Sequence, residues 1–156
     1  MNHSKGNKLI AGKPIAGKPR LRFFEDAAGQ QHITEADQYL YQRPVASHNL
    51  AVIGTGTIGQ EHMRVATLLG RAQVHGIYDR QNHSMDIAEA NFADYSDKSL
   101  VRYPDLESAC NDPAVDALFI CTPNYTHFEI LQTAIKSGKA IFLEKPMATD
   151  LQDAVA

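Results

Sequence analysis

From residue 49 onward, the apolar positions fall into short runs separated by longer stretches with helical spacing. The runs at 50–53, 74–78, 100–103, 117–121 and 140–143 have the length of strands. Ala117-Leu118-Phe119-Ile120-Cys121 is apolar throughout, as expected of a strand covered on both faces. Between the runs the period changes. A helix is predicted over 57–69, with Ile58, Met63, Val65, Ala66 and Leu69 on its apolar face and Gly70 at its end. Further helices are predicted over 84–95 with Ser84 as cap, over 105–110, and over 126–136 ending at Ser137-Gly138. Another opens at Thr149-Asp150. Strands that alternate with helices imply an α/β fold with a doubly wound parallel sheet and right-handed crossovers.

The first 48 residues follow no such pattern. Residues 1–20 are rich in Gly, Lys and Pro and read as a flexible basic arm. AGKP occurs twice there, and Gly12 to Lys18 spells G-x-x-x-x-G-K. Pro19 stands where a P-loop needs a hydroxyl for magnesium, and no strand precedes it, so phosphate binding is not expected. Residues 21–48 are more foldable. Leu21-Arg22-Phe23-Phe24 and Gln31-His32-Ile33 flank Ala27-Ala28-Gly29 as in a small hairpin, and Thr34 is placed to cap a short helix over 35–42. Phe23, Phe24, Tyr39 and Tyr41 give this extension a surface to bury against the main domain or another subunit.

Composition narrows the function classes. A chain of 156 residues with 44% hydrophobic content is long enough for one domain and its core. The formal net charge of -3 gives no reason to expect a nucleic-acid partner. The charge is uneven: six basic residues precede the first acid, Glu25, and the remainder holds 9 basic to 18 acidic residues. Cys110 and Cys121 have no ligand-like spacing and read as reduced thiols, which fits a cytoplasmic location. No apolar run nears the ~20 residues of a membrane span, so no membrane partner is expected. Without H-E-x-x-H or a spaced carboxylate cluster, no metal is expected.

The chemistry collects at the ends of the strands, where ligands of doubly wound sheets bind. Gly54-Thr55-Gly56-Thr57-Ile58-Gly59 follows the first strand at once and spells G-x-G-x-x-G, a dinucleotide fingerprint. Gly54 allows the turn, Gly56 admits a pyrophosphate, and Gly59 lets helix and strand approach. The unpaired N–H groups at the helix start, at Thr57 and Ile58, receive the anion. Asp79 lies 20 residues after Gly59 at the end of the second strand, where a carboxylate accepts ribose hydroxyls. Arg80 is placed to stack on adenine, or to meet the 2′-phosphate of NADP. Because a carboxylate repels that phosphate, NAD is the expected cofactor and NADP the alternative. Cys121, Thr122, Pro123 and Asn124 leave the fourth strand on the same rim, and Glu144, Lys145 and Pro146 leave the fifth. Lys145 is placed to orient a substrate oxygen or to take part in proton transfer. The Lys145–Pro146 peptide is open to either isomer. His62, on the first turn of the helix, reads as structural more than as a phosphate contact. His127, beside the fourth-strand loop, is either a packing residue or a cofactor contact. Glu144 is counted with the cofactor contacts.

Gly54-x-Gly56-x-x-Gly59-x-x-His62, Asp79, Thr122-Pro123-Asn124 with His127, and Glu144-Lys145-Pro146 resemble the N-terminal Rossmann domain of the Gfo/Idh/MocA oxidoreductases. That family includes glucose–fructose oxidoreductase and inositol dehydrogenase. The resemblance covers about residues 49–156. It implies cofactor binding by Gly54, Gly56, Gly59 and Asp79, a nicotinamide-side loop at Thr122–Asn124, and Lys145 as the catalytic-site lysine. It implies hydride transfer between nicotinamide and a secondary alcohol of a sugar or cyclitol, and a homo-oligomer as a partner state to test. The family continues into a second α/β domain that supplies most substrate contacts. Residues 49–146 are thus expected to form the dinucleotide-binding domain, and 147–156 to begin a helix leading to a domain absent here. The chain alone is then expected to bind nucleotide but to be catalytically incomplete. Two other readings differ from this one: a non-catalytic dinucleotide sensor, and an interaction module working through the basic arm and aromatic extension.

Overall fold

The computed structural model describes residues 45–155. The basic arm, the hairpin and the helix expected over 35–42 lie outside the described residues. The described elements are β1 (His48–Ile53), α1 (Thr57–Leu69), β2 (Ala72–Tyr78), α2 (Asn82–Ala93), β3 (Val101–Arg102), α3 (Leu106–Asn111), β4 (Ala117–Ile120), α4 (His127–Ala134), β5 (Ala140–Leu143) and α5 (Leu151–Val155). Short 3-10 turns at Asn124–Thr126 and Ile135–Ser137 flank α4. The five strands pair in parallel in the order β3-β2-β1-β4-β5. The sheet therefore reverses direction between β1 and β4, which is where a doubly wound sheet opens its ligand crevice.

The alternation of side chains along β1 explains the two layers. Val52 enters a core with Met63 of α1, Val74 and Ile77 of β2, and Met85, Ala88 and Phe92 of α2. Ala51 and Ile53 point the other way, into a core with Leu118 and Ile120 of β4, Ala109 and Cys110 of α3, and Ala134 of α4. Helices α1 and α2 thus cover one face, and α3 and α4 the other.

Local signals account for two boundaries, of which the Gly70 stop was read from the sequence and the Asp105 cap was not. Gly70 ends α1 with φ 66°, and its N–H donates to Ala66 O, a left-handed cap. The Asp105 side chain accepts from Ser108 N at 2.7 Å and caps α3.

Three expectations are corrected. The cap of α2 is Gln81, not Ser84. Asp79 Oδ1 accepts from Gln81 N, and Ser84 N donates to Gln81 O, so the turn tightens two residues early. The apolar stripe of α1 is wider than the face it buries: Met63 is 0% exposed, but Ile58, Val65 and Leu69 are 52%, 42% and 57% exposed. Nor is β4 covered on both sides: Leu118 and Ile120 are buried, while Phe119 is half-buried beside an exposed Phe142. The reason is common to both. Val65 and Leu69 line an open groove together with Phe119. Among the described residues no helix is long and apolar enough to cross a membrane.

Candidate functional site

The carboxyl ends of β1, β2, β4 and β5 form one rim. At β1 the chain turns through Gly54 with φ 93°, a backbone conformation that disfavours any Cβ. A Cβ there would also lie 2.7 Å from Thr122 N, so glycine lets the β1 and β4 loops touch. A Cβ on Gly59 would meet Gly54 O at 2.0 Å, which is the close approach of helix to strand. Gly56 differs from both: a Cβ there would meet nothing within 4 Å. Gly56 is also the N-cap of α1, with no side-chain cap bond and no acid in the first turn. The first helical bond runs from Gln60 N to Gly56 O at 3.0 Å, so Thr57 and Ile58 start the helix with N–H groups that have no partner within it. Open space over an uncapped helix start suits a phosphate.

Asp79 does more than the sequence implied. Its Oδ2 accepts from Thr55 N at 2.8 Å and from Thr55 Oγ1 at 3.3 Å, tying the glycine loop to the end of β2. Thr55 is fully buried. Oδ1 accepts from Gln81 N at 2.8 Å. A carboxylate has about four lone-pair sites, so capacity remains for ribose hydroxyls. Arg80, next to it, is exposed.

Beyond β4, Cys121 N donates to Ile53 O at 2.7 Å, continuing the β1–β4 pairing into the loop. Burial, and then the Glu144 carboxylate, push the Cys121 thiol up to about 12, so it stays a neutral, unreactive thiol. Thr126 Oγ1 donates to Pro123 O at 2.7 Å and lies 2.8 Å from Thr122 Oγ1, folding the Thr122–Asn124 loop back on itself. Pro123 and Asn124 are exposed on the rim.

The segment after β5 is held from both sides. Glu144 N donates to Ile120 O at 3.0 Å. Glu144 Oε1 lies 2.6 Å from His62 Nε2, and Oε2 accepts from Lys145 N at 3.1 Å. The His62 ring meets Phe119 and Phe142 edge-on, with centroids at 5.9 and 5.0 Å. Lys145 is exposed and joins Pro146 through a cis peptide.

Of the two readings of His127, the geometry fits the packing one. Its ring is 0% exposed, with Nδ1 2.9 Å from Pro146 O and Nε2 2.9 Å from Thr122 O. Both ring nitrogens serve the chain itself. The His62–Glu144 pair was missed as a pair, since 82 residues separate the partners and nothing local signals it. Gln60 was missed as well: Nε2 donates to Thr55 O, and Oε1 accepts from Asn91, bracing the glycine loop against α2.

The His62 bond, reinforced by the Lys145 N–H, holds the Glu144 carboxyl below its ordinary value of 4.5. A depressed carboxyl stabilises the fold above its unfolded value and stops doing so as pH falls through the folded one. His62→Leu is therefore expected to lower the urea midpoint at pH 6 and to cost progressively less below about pH 4.5. Urea titrations of both chains at pH 6 and pH 3 check this; an equal loss at both values would contradict it.

An apolar groove opens elsewhere, at the amino ends of the strands on the α1 face, lined by Leu50, Val65, Ala66, Leu69 and Phe119. His48, His62, Arg71 and Asp116 also line it, and the glycine loop lies at the opposite ends of the strands. Among the described residues no group of three or more His, Cys, Asp or Glu is placed to hold a metal ion.

Comparison with known proteins agrees with this geometry. Residues 48–156 match the family model described as oxidoreductase family, NAD-binding Rossmann fold. The chain is 36% identical over 106 residues to an inositol 2-dehydrogenase of Paracoccus denitrificans, covering 67% of this chain and 30% of that protein. It is 30% identical over 107 residues to a 2,7-anhydro-N-acetylneuraminate hydratase of Escherichia coli, covering 69% of this chain and 27% of that protein. Among solved structures it resembles the myo-inositol dehydrogenase of Lactobacillus casei in complex with NAD(H) and myo-inositol, with a TM-score of 0.64 at 31% identity. That match covers 69% of this chain and 31% of the other. The chain thus spans about 30% of the length of the relatives it matches.

Proposed function

Because the chain belongs to the Gfo/Idh/MocA oxidoreductase family, with residues 48–156 as its NAD-binding Rossmann domain, we propose that it supplies the cofactor half of a polyol or sugar dehydrogenase. The observation that carries this reading is the open space over Gly56 at an uncapped helix start, on the same rim as Lys145. The Thr57 and Ile58 N–H groups would hold the pyrophosphate, Asp79 the adenosine ribose, and Thr122–Asn124 would line the nicotinamide side. Bound NAD supplies the acceptor for the hydride that leaves a secondary alcohol carbon. Lys145 would hold the alcohol oxygen at the rim and, as the neutral amine, take its proton as the carbonyl forms, returning it as the ammonium in the reverse direction. The buried loops beneath the rim, fixed by the Thr55–Asp79 and Cys121–Ile53 bonds, keep these groups in register before ligand arrives. Selection of a particular polyol belongs to groups outside the described residues. Relatives of similar identity are an inositol dehydrogenase and a hydratase, so the Rossmann residues alone do not fix the substrate.

The experiment is calorimetric titration of the chain with NAD and with NADP. NAD is expected to bind more tightly, since the Asp79 carboxylate accepts hydroxyls and repels a 2′-phosphate. Asp79→Asn keeps an acceptor for Thr55 N but removes the charge, and should narrow the NAD-to-NADP ratio by about tenfold, or ~1.4 kcal/mol. Tighter binding of NADP by the unaltered chain would overturn the assignment.

A further inference from the structure

Lys145 is exposed and feels the Glu144 carboxylate electrostatically, so its place at the rim depends on Glu144 and on its backbone neighbours. Both neighbours are held by histidines. His62 reaches from α1 on one face to Glu144, and the same carboxylate accepts the Lys145 N–H. His127 opens α4 on the other face, and its Nδ1 meets Pro146 O. Its Nε2 meets Thr122 O, so one ring joins the loops after β4 and β5. Both carbonyl oxygens are acceptors, and which of the two ring nitrogens donates is set by the tautomer. His62 is wedged edge-on against Phe119 and Phe142, which leaves its ring little freedom to swing away from Glu144.

We propose that His62 and His127 are paired positioning residues that fix the Glu144–Pro146 turn, and with it Lys145, from opposite faces of the sheet. Their importance to catalysis rests on the reading of Lys145 given above. Neither histidine contacts the reacting atoms. Together they span the reversal point of the sheet, where α1 belongs to the β1–β2 half and α4 to the β4–β5 half. The turn that carries Lys145 is thereby locked to the helix that begins at the phosphate loop.

Backbone 15N relaxation of the whole chain tests this at the Lys145 and Met147 amides. In the unaltered chain both should be as rigid as β5, with order parameters of about 0.85, and His62→Leu should drop them towards about 0.6. His62→Gln places an amide N–H where Nε2 stood and should restore rigidity. His127→Asn keeps a donor in the Nδ1 position facing Pro146 and should preserve it, whereas His127→Gln keeps only the Nε2 side and should not. Ile141 and Leu143 in β5 should stay unchanged in every variant. Equal behaviour of the Asn and Gln variants at 127 would show a packing role only and overturn the proposal for His127. A mobile Lys145 amide in the unaltered chain, or no difference between Leu and Gln at 62, would overturn it altogether. If the His127 variants do not fold, the His62 pair decides the outcome. Titration with NAD separates the two readings. NAD that binds by calorimetry without moving the Lys145 signal refutes the placement of Lys145 at the cofactor, whatever the histidine variants show.

Discussion

Gly56→Ala is expected to fold with an unchanged or slightly raised melting temperature and to bind NAD at least tenfold more weakly. The two halves of this result have separate causes. Gly56 has φ -65° and ψ -171°, which any residue adopts, and a Cβ there meets no atom within 4 Å. Replacement of glycine in a compatible conformation tends to stabilise by about 0.4–1 kcal/mol through the unfolded chain, which offsets the poorer fit of alanine to an N-cap. The same methyl would stand in the space through which a phosphate reaches the Thr57 and Ile58 N–H groups. Tenfold in affinity is ~1.4 kcal/mol, a modest demand on a displaced charged ligand. Thermal melts and calorimetry on the purified variant check both halves. Retained affinity would mean that the pyrophosphate does not lie over Gly56.

Gly59→Ala is expected to do the reverse, losing the fold first and binding as a consequence. Alanine is favoured over glycine inside a helix by about 1 kcal/mol. Here that gain is overwhelmed, because the new Cβ would lie 2.0 Å from Gly54 O and 3.0 Å from Gly54 C. These are backbone atoms and no rotamer change relieves them. Helix α1 would have to lift from β1, loosening the core that includes Met63 and Val52. Overpacking of this kind costs about 3 kcal/mol, and a domain of this size should lose about 10 °C or more in Tm. A melt within a few degrees of the parent would show that the helix shifts freely, against the tight approach described. Two glycines three residues apart thus predict opposite phenotypes, one in binding and one in folding.

Much of the domain was legible because its signals are local. The 57–69 helix and its Gly70 cap came from a 3.6-residue period and a left-handed stop, and both depend on neighbours within a few positions. The 140–143 strand came from a bounded apolar run. The glycine loop, Asp79 and the two later loops could be assigned to one rim, because parallel strands with right-handed crossovers leave only one end for them. What was misread depended on packing partners. The wide apolar stripe on 57–69 gave no sign of how much of it would be covered, and Val65 and Leu69 stand exposed. His127 showed only its place beside a loop, with no sign that both ring nitrogens would be taken by carbonyl oxygens.

The sequence by itself determined the order of elements, the parallel sheet, and the glycine-and-acid pattern of a dinucleotide fingerprint, since each follows from spacing along the chain. Only the tertiary structure decided which side chains act as supports for the others. Asp79 holds Thr55 across 24 residues, and His62 holds Glu144 across 82. Pairings of that range are fixed by where folded elements come to lie, and no periodicity along the chain encodes them.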